Sequence, residues 1–364
     1  MTKFNVLILG CGKIGSLISC LLSSSKDYDI HLADIDLKQV QSTIKDYSLK
    51  DTKAIAIDAT DEKLLLELMS TTRFDAVISS LPFFCNTIVA NAAGKTNTAY
   101  FDLTEDVEVT NHVKEISQNH KNPFVPQCGL APGFISIAAQ SLIKKFDSLD
   151  SVKMRVGALP VNPNNALKYS LTWSTDGLIN EYGNICYGIE DKKITTLLPL
   201  EGYETISVDG LIYEAFNTSG GLGTLADTYK NKITTMNYKT IRYPGHCEQI
   251  KLLMNDLKLN KDRETLKRIL EKAVPKTKQD VVLIYVSVIG HKHEVLIEEN
   301  YVKKVYPKEI NSVTWSAIQI TTAAGICSVV DLVLKNINQY HGFVTQESFL
   351  LDDILGNRFG GYYS

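Results

Sequence analysis

Three glycines and an aspartate set the first chemistry open to this chain. The run Phe4-Asn-Val-Leu-Ile-Leu-Gly10-Cys-Gly12-Lys13-Ile14-Gly15 carries an apolar strand straight into G-x-G-x-x-G. A second apolar run, Asp29-Ile-His-Leu-Ala-Asp34, ends in a carboxylate about 20 residues further on. Such a loop suits a dinucleotide. Gly10 permits the tight turn, Gly12 lets the backbone approach a pyrophosphate, and Gly15 lets helix pack on strand. The helix N-terminus at Lys13 and Ile14 then faces the anion. Asp34 would accept hydrogen bonds from the adenosine ribose hydroxyls. It would also repel a 2′-phosphate, and Ile35-Asp36-Leu37 offers no arginine to bind one, Lys38 being the only nearby cation. NAD is therefore favoured over NADP.

In an open α/β sheet the ligand lies beyond the carboxyl ends of the strands, which singles out the residues just after each apolar run. Asp58-Ala59 would touch the adenine. Ser80-Leu81-Pro82 would line the nicotinamide ribose. Asp102-Leu-Thr104 and Cys128-Gly129-Leu-Ala-Pro-Gly133 follow the next two runs.

Polar turns recur in the second half of the chain. Trp173-Ser-Thr-Asp176-Gly177-Leu-Ile-Asn-Glu181-Tyr182 joins an expected strand to a helix on which Glu181 could face a cleft. Phe216-Asn-Thr-Ser-Gly-Gly-Leu-Gly223 is a glycine-rich strand-to-helix turn. Ile241-Arg242-Tyr-Pro-Gly-His246 ends a strand and begins a helix, with Pro244 suited to the first turn. Arg242 is a candidate for a substrate carboxylate, since guanidinium binds one bidentately. His246 could serve as acid or base, its ordinary pKa lying near working pH.

The elements that must position these residues fall into two textures. Up to Gln127 the chain alternates strand and helix patterns: strands over Phe4–Leu9, Ile30–Ala33, Ala54–Ile57, Asp75–Ser80, Ala99–Asp102 and Phe124–Gln127, with helices between them and Thr60 as one N-cap. That rhythm means a Rossmann-type, doubly wound parallel sheet. From there a helix over Phe134–Phe146 leads into strand-like stretches. These cover Val152–Leu159, Lys168–Trp173, Glu204–Val208, Ile212–Asn217, Ile233–Ile241, Val281–Ile289, Glu294–Glu298 and Val302–Tyr306. They suggest a second, mixed α/β domain with a largely antiparallel sheet. The expected division is a dinucleotide domain over 1–128, a substrate and dimerisation domain over 129–315, and a segment, 316–364, whose long apolar helix returns to the first domain.

With 364 residues, 44% of them hydrophobic, and a net charge of −3, the chain has ample core material. That balance gives no reason to expect nucleic acid or an anionic membrane as partner. No apolar run is expected to reach membrane-spanning length, and a first strand at Phe4 leaves no room for a signal peptide. Seven scattered cysteines without C-x-x-C spacing read as reduced thiols of a cytoplasmic protein. No metal site is indicated. The nearest pair of histidines, His291 and His293, is flanked by Lys292 and Glu294 and lacks further ligands.

Taken in order, these residues resemble the saccharopine dehydrogenase family of pyridine-nucleotide enzymes, and most of all its lysine ε-dehydrogenase branch. The resemblance rests on Gly10–Gly15, Ser80-Leu-Pro82, Tyr100-Phe-Asp-Leu-Thr104, Gly129-Leu-Ala-Pro-Gly133, Gly177-Leu-Ile-Asn-Glu-Tyr182, Tyr203-Glu-Thr205, Thr218-Ser219 and Arg242-Tyr-Pro-Gly-His246. It covers nearly the whole chain. The saccharopine reductase branch typically has L-D-P-G where this chain has Leu130-Ala-Pro-Gly133, and W-S-x-R-G where it has Trp173-Ser-Thr-Asp176-Gly177. A lost arginine argues for a less acidic substrate, and a carboxylate at Asp176 or Glu181 suits a cationic one.

The resemblance thus implies NAD-dependent oxidative deamination of L-lysine at the ε-carbon, giving the aminoadipate semialdehyde, in a homodimer. Arg242 would hold the α-carboxylate beside Trp173, Asp176, Thr104 and Gly129. The base would be His246, Asp102 or Glu181. The alternatives are a saccharopine- or carboxyspermidine-type dehydrogenase, and a catalytically silent NAD-binding regulatory protein that kept the fold.

Overall fold

The computed structural model describes residues 3–364. It forms two compact units. One comprises the residues up to Phe134 together with Asn311–Val313 and Gln319–Ser364; the other comprises Ile135–Ile310 and Thr314–Ile318.

The first unit holds the strands β1 (Phe4–Leu9), β2 (Tyr28–Asp34), β3 (Thr52–Ala56), β4 (Ala76–Ser79), β5 (Ala99–Asp102) and β6 (Pro123–Val125). Their order is β6-β5-β4-β1-β2-β3, all parallel, with a two-residue strand, Gly342–Phe343, outside β6. The order reverses between β1 and β4, which makes that crevice the switch point where a doubly wound sheet takes its ligand. The apolar interiors of β1 and β4 follow from helices covering both faces. Asp36, Asp61 and Asp106 start three of those helices by accepting backbone N–H groups. Asp61, rather than the expected Thr60, caps the helix Glu62–Thr71.

The helix Ala317–Lys335 corrects one expectation. Its 19 residues are long and apolar enough to cross a bilayer by length and composition, yet most of it is buried inside the protein as a core helix. Its buried Asp331 is a hub for the first unit. That carboxylate accepts the Tyr28 hydroxyl at 2.7 Å, Asn357 Nδ2 at 2.8 Å, Lys335 Nζ at 2.9 Å and an Arg358 guanidinium nitrogen at 2.6 Å.

The second unit is built on β7 (Ser148–Pro160), β8 (Cys186–Glu190), β9 (Lys193–Leu197), β10 (Glu204–Val208), β11 (Leu211–Asn217), β12 (Ile233–Arg242), β13 (Asp280–Lys292) and β14 (Val295–Val305). The sheet runs β10-β11-β12-β7-β13-β14, with the β8–β9 hairpin attached to β12. The β7–β12 pairing is parallel and its neighbours are antiparallel, so the sheet is mixed. Phe216 of β11 joins Leu178, Ile179 and Tyr182 of the helix Thr175–Gly183, Cys247 and Ile250 of His246–Lys251, and Leu266 and Leu270 of Arg263–Ala273 in one core.

Two sequence expectations change here, and one hairpin appears that the sequence did not announce. Lys168–Trp173 is an extended loop, not a strand: Lys168 is left-handed at φ +50°, and Leu171 gives its N–H to the Pro275 carbonyl. Its apolar residues still face a core, which is why it reads as a strand. The two expected strands Glu294–Glu298 and Val302–Tyr306 are, apart from Glu294 and Tyr306, parts of the single strand β14, paired with β13 along its length. The β8–β9 hairpin turns at Asp191-Lys192, both at positive φ, without the glycine that normally announces such a turn.

Candidate functional site

In the first unit the glycine loop is shaped by what surrounds it. Gly10 lies at φ +96°, and a Cβ on Gly15 would stand 1.9 Å from the Gly10 carbonyl oxygen. Ser80, at the end of β4, has its hydroxyl 3.0 Å from the carbonyls of both Leu9 and Gly10, which ties the loop to the neighbouring strand. At Gly12, by contrast, a Cβ would meet nothing within 4 Å. Gly12 is also the N-cap of the helix Lys13–Ser25, and no side chain caps that terminus. An open cradle at a helix N-terminus fits the pyrophosphate of a dinucleotide.

Asp34 closes the far side of this loop. One carboxylate oxygen accepts the Cys11 N–H at 2.7 Å and the other the Asp36 N–H at 3.3 Å, while Gln39 Nε2 holds the Cys11 carbonyl at 3.1 Å. Ile35, the next residue, is exposed. Asp58 accepts both the N–H and the hydroxyl of Thr60, and these bonds hold its carboxyl below the usual range. Leu81 is half-buried and Pro82 exposed, at the start of the turn Phe83–Cys85.

Asp102 does not have the geometry of a base. It is fully buried, and its carboxylate accepts the Tyr100 hydroxyl at 2.6 Å and the N–H groups of Thr104 and Gln127, each at 2.9 Å. Burial pushes its pKa up, against those bonds. The side chain is a bolt joining the ends of β5 and β6. It thereby sets Thr104, which is buried, and the following turn, where Phe134 N–H bonds the Gly129 carbonyl at 2.9 Å. Next to Thr104 stands a residue that sequence reasoning passed over. Glu105 is half-buried, and burial followed by the charges of Asp106 and Asp102 pushes its carboxyl up to about 7.

The second unit brings Arg242, Glu181 and His246 together. Arg242 ends β12 and is 2% exposed. Its guanidinium lies over the rings of Tyr169 and Tyr182, 5.0 and 5.6 Å from their centroids. Nε donates to the Tyr182 hydroxyl at 2.8 Å, one terminal nitrogen to the Ile241 carbonyl at 2.8 Å, and the other lies 3.7 Å from Glu181 Oε2. Glu181 and Tyr182 occupy successive positions of the helix Thr175–Gly183, which Ser174 caps.

His246 is buried, with Nδ1 2.7 Å from the Leu167 carbonyl and Nε2 2.9 Å from the Tyr182 hydroxyl. A carbonyl only accepts, so Nδ1 carries the proton and Nε2 receives that of Tyr182. Burial, then the Arg242 charge, lowers the imidazole pKa to about 3. With both nitrogens engaged and the ring neutral, His246 is a positioning group rather than the acid or base its residue type suggested.

Two further expectations shift. Asp176 is exposed and paired with Lys267 Nζ at 2.8 Å, so it belongs to the surface and not to the Arg242 cluster. Trp173 acts through a neighbour: its indole N–H bonds the Tyr169 hydroxyl at 3.1 Å, and its ring packs so closely on Gly177 that a Cβ there would stand 2.4 Å away. Tyr169 and Tyr182 are site residues that the sequence did not single out. Tyr182 lies inside the Gly177–Tyr182 motif, where its neighbour Glu181 draws the attention.

Comparisons with known proteins agree with both halves. Residues 6–124 match the family model described as saccharopine dehydrogenase NADP binding domain, and residues 129–359 match saccharopine dehydrogenase C-terminal domain. Saccharopine dehydrogenase [NADP(+), L-glutamate-forming] of Saccharomyces cerevisiae is 25% identical over 281 residues, 71% of this chain and 59% of that protein. The mitochondrial alpha-aminoadipic semialdehyde synthase of Rattus norvegicus is 26% identical over 187 residues, 49% of this chain and 19% of its own length. The matched part is thus about three fifths of the yeast relative and about a fifth of the rat one. The solved apo saccharopine dehydrogenase (L-Glu forming) from Saccharomyces cerevisiae shares the fold, with a TM-score of 0.78 at 18% identity over 97% of this chain and 96% of that one.

Proposed function

The chain belongs to the saccharopine dehydrogenase family, and from that premise we propose that it oxidises the side-chain amine of an amino acid with NAD, its substrate being L-lysine and its product the aminoadipate semialdehyde. The observation that carries this reading is the pair formed by buried Arg242 and half-buried Glu181. A guanidinium held between two tyrosine rings suits a carboxylate, and the glutamate beside it suits a cationic nitrogen. Asp176 adds nothing to that argument, because it is committed to Lys267.

NAD, when bound, supplies the hydride acceptor, with Gly12 and the helix start at Lys13 holding its pyrophosphate and Asp34 its ribose. The protein's own task is to position the substrate carbon and to take a proton. Hydride can leave the carbon bearing the amine only once that nitrogen is neutral, since its lone pair must form the imine. Water then adds to the imine, and ammonia departs. Among the carboxylates near strand ends, Glu105 is the one raised to about 7, which suits a base working near neutrality. Glu105 also follows the carboxyl end of β5, the edge at which such a sheet takes its ligand, and we propose it beside Glu181 as a candidate for the base, in place of His246 or Asp102.

Saccharopine is the second candidate substrate, favoured by the activity for which the yeast relative is named. Steady-state reduction of NAD with lysine as sole amine supports the lysine reading. Activity only with saccharopine, or in reverse only with an aldehyde plus an amino acid, overturns it. Tight NADH binding without turnover of any amine would instead favour a silent, regulatory member.

A further inference from the structure

One buried carboxylate in the second unit plays no part in the chemistry above. Glu214 is the central residue of β11, 1% exposed, with Tyr213, Ala215 and Phe216 buried around it. A carboxylate in such surroundings is costly unless its oxygens are hydrogen-bonded. Both are. Oε2 accepts the Gly245 N–H at 2.7 Å and Oε1 the Cys247 N–H at 2.6 Å. These are the residues on either side of His246, and they span the turn from β12 into the helix His246–Lys251. Glu214 is also the register partner of Arg242 across the β11–β12 pair. A single side chain therefore fixes the backbone that connects Arg242 to His246, at a turn where Gly245 stands at φ +97°.

We propose that Glu214 is a positioning residue for substrate binding: its carboxylate clamps the Arg242–His246 segment so that the Tyr182 hydroxyl meets Arg242 and His246 together. The proposal rests on the reading that Arg242 binds the amine substrate. Without the clamp the turn can relax, His246 leaves the Tyr182 hydroxyl, and Arg242 loses the orientation that its Nε bond enforces. Charge-assisted bonds from a carboxylate to two N–H groups are stronger than neutral ones, so an amide is a poor replacement. Glutamine keeps one accepting oxygen but turns an NH2 toward the second N–H.

The test compares the wild-type enzyme with Glu214→Gln and Glu214→Asp. Expected for Glu214→Gln is a rise in KM for the amine of about tenfold to a hundredfold, the cost of a misplaced binding group, with the NADH dissociation constant unchanged. A second readout needs no turnover. With 15N-labelled histidine, His246 of the wild type should give the neutral Nδ1–H signature without titrating between about pH 5 and 8, and the variant should lose that signature. A folded Glu214→Gln with wild-type KM and an unaltered His246 signal overturns the proposal. So does a parallel loss of NADH affinity, which would mean general damage. If the glutamine variant does not fold, Glu214→Asp is read by the same criteria, and failure of both to fold assigns Glu214 to stability instead. An inactive wild type with the expected histidine signal would sink the substrate reading and leave the clamp standing.

Discussion

Arg242 donates its Nε–H to the phenol oxygen of Tyr182 at 2.8 Å, the first bond of a chain that runs on through His246 to the Leu167 carbonyl. With that oxygen accepting from the guanidinium, the phenol proton points to His246 Nε2, which the Nδ1–H bond to Leu167 leaves bare. The order of donors is therefore fixed from arginine to tyrosine to histidine to backbone. A chain of this kind has no proton to spare, and its use is to hold the guanidinium still.

Tyr182→Phe isolates that use. The ring stays under the guanidinium while the hydroxyl goes, leaving Arg242 Nε and His246 Nε2 buried without their partner. A hydrogen bond to a charged group contributes about 1.5–3 kcal/mol, so KM for the amine should rise by roughly tenfold to a hundredfold. NADH affinity, measured by nicotinamide fluorescence, should stay as it was. Equal effects on both ligands would show that Tyr182 supports the fold at large.

The histidine makes a prediction about acid. His246 has a folded pKa of about 3, below the 6.5 ordinary for the side chain. Between those values the unfolded chain takes up a proton that the folded one refuses. The stability this group contributes is complete above 6.5 and is lost as pH falls toward 3, by at most about 1.4 kcal/mol per pH unit. Urea unfolding of the wild type and His246→Gln across that window should give a shallower acid slope for the variant. Parallel slopes would mean that His246 can be protonated in place.

The first unit was largely legible because its signals are local. Gly10, Gly12, Gly15 and Asp34 lie within one βαβ unit, and their spacing alone places them at the switch point. The second unit was legible in its strands but not in its contacts. Arg242 and Glu181 are far apart in sequence, and only the sheet register and the packing of the helix Thr175–Gly183 put them 3.7 Å apart. Residue type misled at His246 and Asp102, whose environments commit them to fixed bonds. Glu105 went unnoticed for the opposite reason: burial first, and neighbouring carboxylates second, raise its pKa, and burial is not written in a sequence.

The proposed base, Glu105, carries a prediction about the pH dependence of the rate. As a base it works only when ionised, so kcat/KM for the amine should rise with pH through about 7 on the acid side. Glu105→Gln should remove that limb and lower kcat by about 10²–10⁴-fold, the usual contribution of a positioned base. NADH binding should be preserved. A variant that keeps both the limb and the rate would return the role of base to Glu181.

For the proposed preference for NAD, the last prediction turns on the two bonds of Asp34. Its carboxylate is anchored to Cys11 and Asp36 at the end of β2, where the ribose of a dinucleotide is expected, and the exposed Ile35 follows it. A 2′-phosphate would meet a fixed negative charge with no guanidinium to offset it. The matched family model is named for NADP and the yeast relative for NADP(+), so the proposed preference for NAD rests on this chain's own residues alone. Dissociation constants for NADH and NADPH should favour NADH in the wild type. The double variant Asp34→Ser, Ile35→Arg removes the repulsion and adds a planar donor for phosphate. It should reverse the order, while Asp34→Ser alone weakens NADH by about tenfold for the lost charged hydrogen bonds. Tighter NADPH binding by the unaltered protein would overturn the assignment of Asp34 as the selector and leave the Cys11 bond as its whole function.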